Sequence, residues 1–165
     1  MRQTTKVFLN TWGAYNDGCI GYGWMEPEKA LDFMKEDPER DGGEWFIADI
    51  DNYLGVDFGN LEYCNAEEVI ETIQELENMD DDELENVVAL MEYTCNTDAS
   101  YILSRLDNYT FYADLDQYHD CMDELVEMEM PQNSILTRYF DYEAYHRDCD
   151  FDIYEASNGV VIWGC

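Results

Sequence analysis

The stretch from Asn65 to Met91, NAEEVIETIQELENMDDDELENVVALM, decides how the rest of the chain is read. Ala66, Val69, Ile70, Ile73 and Leu76 recur at the three- and four-residue spacing of one helix face. Asn65 stands where a helix cap belongs, with Glu68 three residues on. A second helix starts in the run Asp80 to Asp82, with Leu84, Val87, Val88 and Met91 as its apolar stripe. The outward faces are unusual. Glu67, Glu71 and Glu75 form an i, i+4, i+8 row beside Glu68, and Asp81, Asp82 and Glu85 open the next helix. Between Arg40 and Arg105 there is no Lys or Arg to answer them. Like charges at this spacing each destabilise a helix by about 0.2 to 0.5 kcal/mol, so helix stability does not account for the rows.

The pattern extends over the whole chain of 165 residues, in which 39 Asp and Glu face 8 Lys and Arg for a formal net charge of −31. Asp116, Asp120 and Glu124 form another row beside Asp123 and Glu127, and Asp32, Glu36 and Asp37 lie on an earlier helix. Binding to nucleic acid or to an anionic membrane is excluded, because both need Lys and Arg to neutralise phosphate. A basic partner is required. Disorder is excluded by 46% hydrophobic and 15% aromatic content.

A row at i, i+4 sets carboxylates about 6 Å apart along the axis, comparable to neighbouring phosphates of one DNA strand. Duplex DNA carries one charge per roughly 1.7 Å, so this net charge corresponds to about 53 Å of duplex. A compact chain of this length has a radius of gyration near ~15 Å. An elongated chain of small units is therefore expected.

Around the central helices, KVFLNTW reads as a strand that breaks at the turn-rich GAYNDG, and GYGWM follows as strand or loop. Pro27 opens a helix with Ala30, Leu31 and Met34 inward, DPERDGG ends the segment, and WFIADID is a strand, giving the order β-β-α-β. ASYILSRL is a third, shorter helix. YTFYAD is a strand, and a helix from about Gln117 to Glu129 turns Tyr118, Cys121, Met122, Leu125 and Val126 to one face until Pro131 stops it. ILTRYFDYEAYHRD reads as one more helix, and DIYEA and GVVIWG flank the hairpin signal Ser157-Asn158-Gly159. The fold class is α+β, an elongated chain of three small domains: residues 1–62 (α+β), 63–107 (acidic and helical) and 108–165 (α+β).

Catalytic chemistry has no visible seat. Carboxylate pairs are too abundant to single out a glycosidase acid and base, and nucleophile-elbow, phosphate-loop and dinucleotide patterns are missing. The calcium-like stretch DCDFDIYEASNG from Asp148 fails, since Ile153 replaces the required glycine and Gly159 falls where the bidentate Glu belongs. His119, Cys121, His146 and Cys149 have zinc-like spacings but lie partly on core faces, and His146 is read as balancing local acids. No metal, no cofactor and no enzymatic activity are expected. The scattered cysteines Cys19, Cys64, Cys95, Cys121, Cys149 and Cys165 read as free thiols, mostly core fillers. With no signal peptide and no apolar run able to span a bilayer, a cytoplasmic protein is expected.

Two segments carry a resemblance. VFLNTWGAYNDGCIGYGWMEP supplies Gly13, Tyr15, Asn16, Asp17, Gly18, Trp24 and Pro27, and YFDYEAYHRDCDFD supplies Asp141, Tyr142, Ala144, Tyr145, Arg147 and Asp148. Both resemble the ArdA family of antirestriction proteins of phages and other mobile genetic elements, and the resemblance covers nearly the whole chain. It implies a curved acidic rod that dimerises through its C-terminal domain. It also implies a DNA mimic that occupies the DNA groove of type I restriction-modification enzymes, formed by their specificity and methyltransferase subunits. Two rival readings stand beside it: a mimic directed at another DNA-binding protein, and a salt-adapted acidic protein or hydrolase.

Overall fold

The structure, a computed structural model, describes residues 4–130 and 135–164. The chain divides into two compact units, Met1–Leu84 with Thr97–Leu103, and Glu85–Asn96 with Ser104–Cys165. Each unit holds one three-stranded antiparallel sheet, so the α+β class stands. No helix of the described residues is long and apolar enough to cross a membrane.

In the first unit, β1 (Lys6–Thr11) lies between β2 (Gly23–Met25) and β3 (Trp45–Asp51). Strand periodicity turns Val7 and Leu9 to one face. There they meet Ile47 of β3, Ala30, Leu31 and Met34 of α2 (Pro27–Glu36), and Ala66, Ile70 and Ile73 of α3 (Ala66–Glu77). Val7, Leu9, Ile70 and Ile73 are fully buried, each contributing about 1.5 to 3 kcal/mol. Pro27 occupies the first turn of α2 as expected, where its missing N–H costs nothing.

The stretch expected as a turn after β1 instead contains a short helix, α1 (Trp12–Asn16). Thr11 caps it, its hydroxyl accepting from Ala14 N at 3.2 Å. Gly13 makes α1 possible, because a Cβ there would lie 1.8 Å from the carbonyl oxygen of Asp41. The order in this region is therefore β-α-β-α-β. Close by, the Arg40 guanidinium lies 4.3 Å from the Phe33 ring centre, and its Nε pairs with Asp37 at 3.3 Å.

The helices after the first sheet start as read. Asn65 accepts from Glu67 N at 2.9 Å and Glu68 N at 3.3 Å. Asp80 and Glu83 exchange reciprocal side-chain bonds of 2.9 Å at the start of α4 (Asp81–Thr94), a capping box. The third helix, α5, is shorter than expected, covering Ala99–Leu103.

In the second unit, β6 (Val161–Trp163) lies between β4 (Thr110–Tyr112) and β5 (Ile153–Glu155). The hairpin β5–β6 closes as expected, with Gly159 N donating to Ala156 O at 2.9 Å and Gly159 at φ 92°. Tyr112, Tyr118, Met122 and Val161 form the core here. The helix expected from Gln117 starts two residues earlier as α6 (Leu115–Glu129), because Asp114 caps it by accepting from Gln117 N at 2.7 Å. Pro131, read as its stop, lies outside the described residues.

The single helix expected over residues 135–148 is two pieces, a 3-10 turn at Ile135–Arg138 and α7 (Tyr142–Cys149). Asp141 accepts from Ala144 N at 3.1 Å and so begins a new helix. The cysteine expectation also needs correction. Cys19, Cys64 and Cys95 are exposed, Cys121 and Cys149 are half-buried, and all five are free.

Candidate functional site

The buried stripe of each helix fixes which carboxylates face out. Ala66, Ile70, Ile73 and Leu76 of α3 are 0 to 2% exposed, and that rotation leaves Glu67, Glu68, Glu71 and Glu75 exposed on the other side. Burial of Val87, Ala89, Leu90 and Met91 does the same for α4, leaving Asp81, Asp82 and Glu85 in solvent. On α2, Asp32 and Glu36 are exposed, as is Asp37 just past its end, with Asp37 paired to Arg40 and Lys29 paired to Glu26 at 2.6 Å. Helices α3, α4 and α6 have no basic residue in their last turn.

On α6, Asp116, Asp120, Glu124 and Glu127 are exposed. Asp123 differs. It is half-buried, and His146 Nε2 approaches its Oδ1 at 2.6 Å. One turn back, His119 Nε2 meets Asp150 Oδ1 at 2.7 Å. The two imidazoles stack, with ring centres 4.0 Å apart and planes within 5°. This brace joins α6 to α7 and the turn after it, and it takes Asp123 out of the set of free carboxylates. His146 therefore does balance a local acid. The inward face of α6 is also narrower than expected: Tyr118 and Met122 are buried, Cys121 and Val126 are half-buried, and Leu125 is 41% exposed.

Glu92 of α4 had no signal in the sequence. Its carboxylate accepts from the Tyr154 hydroxyl at 2.8 Å and from Ser157 through both Oγ (2.5 Å) and N (3.1 Å), holding the β5–β6 hairpin. The Ser157 hydroxyl first, then Tyr154 and the Ser157 amide, keep this carboxyl below the ordinary glutamate range. The hydrogen bond and charge of Lys29 lower Glu26 likewise. Both shifts run opposite to the raised carboxyl a general acid needs. The calcium-like stretch from Asp148 is spread over the end of α7, a 3-10 turn, β5 and the hairpin turn rather than forming one loop.

The exposed carboxylates of α3 and α6 thus stand in rows on helices whose first turns are capped by Asn65 and Asp114. Each can accept charge-assisted hydrogen bonds from Lys or Arg. The family described as Antirestriction protein (ArdA) matches residues 7–162. No curated protein matches the chain.

Proposed function

The chain belongs to the ArdA antirestriction protein family, and from that premise we propose that it is a DNA mimic that occupies the DNA groove of a type I restriction-modification enzyme. The observation that carries the reading is the α3 row, with Glu67, Glu71 and Glu75 all exposed on one capped helix in a stretch free of Lys and Arg. In this reading the carboxylates stand in for phosphates and engage the basic side chains that the specificity and methyltransferase subunits present to DNA. Inhibition is competitive with DNA, needs no cofactor and no catalysis, and weakens steeply with salt because ions are displaced at every contact.

The test titrates the protein against a purified type I enzyme carrying labelled target DNA, at several salt concentrations. Displacement at low salt that fades as salt rises is expected. DNA that stays bound under excess protein at low salt defeats the reading. Retained displacement of DNA from an unrelated DNA-binding protein would instead favour the broader mimic.

The proposal includes a homodimer in the cytoplasm. We assign its contact to the largely apolar groove that Leu125, Val126, Met130, Phe140 and Tyr145 line together with Glu129, beside Met128 at 73% exposure. The three-domain division and the curved rod belong to the same reading, and small-angle scattering tests them by the maximum dimension.

A further inference from the structure

Phe151 is 83% exposed and sits between Asp150 and Asp152 in a single 3-10 turn. Burying such a ring would stabilise the fold, which forgoes that gain here. The turn is nonetheless held firmly on both sides. His119 fixes Asp150 at 2.7 Å, the Tyr118 hydroxyl donates to Cys149 O at 3.2 Å, and Ile153, next in sequence, packs against the core. The ring is therefore displayed from a fixed frame.

The chain itself shows what such a combination receives. At Arg40, an aromatic face and a carboxylate together hold one guanidinium: the Phe33 ring lies 4.3 Å beneath it and Asp37 pairs with its Nε at 3.3 Å. Phe151 and Asp152 offer an aromatic ring and a carboxylate too, both exposed, although on consecutive residues of a 3-10 turn rather than four residues apart. Among the described residues the cation contacts to aromatic rings are those of Arg40, to Phe33 and Tyr22. Arg147, one helical turn upstream of Phe151, makes no such contact with its ring.

We propose that Phe151 and Asp152 form a receiving site for an arginine side chain of a basic protein partner, the guanidinium stacking on the ring and pairing with the carboxylate. Asp150, already engaged by His119, is a further acidic residue of the same turn. A guanidinium is planar and weakly hydrated, whereas an ammonium is a strongly hydrated point charge, so the site prefers arginine to lysine. The site deepens the proposed function, on which it rests for the partner's identity, by adding a stacking contact to a surface otherwise made of charge.

The test uses the full chain labelled at its phenylalanine rings, titrated in the NMR spectrometer with capped hexa-arginine and hexa-lysine peptides at one ionic strength. The Phe151 resonances are expected to respond to hexa-arginine at about two- to fivefold lower concentration than to hexa-lysine. Phe151→Leu, which keeps an apolar side chain at an exposed position, should abolish that preference at the Asp152 amide. Asp152→Asn should weaken both peptides there. Identical titrations of Phe151 by the two peptides would overturn the proposal. So would a Phe151 ring that stays unmoved while α3 responds, or one found in contact with a second copy in the free protein. The peptides require no restriction enzyme, so failure of the DNA-displacement experiment and failure of this one are separately visible.

Discussion

Helices α3 and α6 carry the same row of acids on different foundations. The inner stripe of α3 is buried along its whole length by Ala66, Ile70, Ile73 and Leu76, and its outer carboxylates lie in a stretch of sequence without Lys or Arg. The inner face of α6 is closed by Tyr118 and Met122 and opens at Leu125, while one of its acids is spent on His146. Equal spacing therefore does not make equal sites. A carboxylate is free to meet a partner only if the fold has placed no donor against it, and on α6 His146 of α7 supplies such a donor to Asp123.

The strongest way to sharpen this contrast is charge reversal. Replacing Glu67, Glu71 and Glu75 together by Lys should lower affinity for a type I enzyme by about 100-fold or more at low salt, with the helical circular dichroism retained. The corresponding reversal of Asp116, Asp120 and Glu124 should cost less, and an equal loss would break the comparison.

Next in size is the foundation of α6. Tyr118 is 1% exposed, and Tyr118→Ala should destabilise the protein by about 3 to 5 kcal/mol in urea unfolding. Burial pushes the Tyr118 hydroxyl up to about 12, and burial together with Cys121 does the same to Tyr112. A raised folded value favours the protonated form. The stabilisation is full below the ordinary tyrosine value near ~10 and is lost as pH climbs toward about 12. Alkaline unfolding should accompany tyrosinate absorbance in that window.

A smaller effect should come from His146→Ala, costing about 1 kcal/mol because the brace is partly open to solvent. Binding should hold steady, since Asp123 is released rather than removed. Glu92 gives a pH signature of opposite sign to the tyrosines. Its lowered carboxyl contributes stability above the unfolded glutamate value, and that contribution disappears as pH falls through the folded one. Glu92→Gln should flatten this acid limb. The smallest change is expected from Glu71→Gln alone, which should alter affinity by less than about fivefold, since a lost surface contact is worth about 1 kcal/mol or less.

Where periodicity and capping act locally, the sequence was sufficient. The Asn65 cap, the Pro27 start and the Ser157-Asn158-Gly159 hairpin all follow from residues within one turn of each other. Local competition between caps was harder to read. Asp141 divides what looks like one helix because its side chain satisfies Ala144 N, and Thr11 draws Trp12–Asn16 into a helix where glycine and asparagine pointed to a turn. The exposure of the acid rows was legible because buried apolar residues dictate rotation. The donors that consume Asp123 and Glu92 were not, because His146 and Ser157 lie 23 and 65 residues away in sequence. Nothing in a helical repeat announces such a partner.

The absence of basic residues from the last turns of α3, α4 and α6 has a consequence that side-chain counting misses. Aligned peptide dipoles leave about half a negative charge at the carboxyl end of a helix, which Lys or Arg ordinarily offsets. Here the backbone adds to the field of the side chains. The negative potential met by an approaching cation is then partly a property of helix direction, and no substitution of a carboxylate by its amide would erase it.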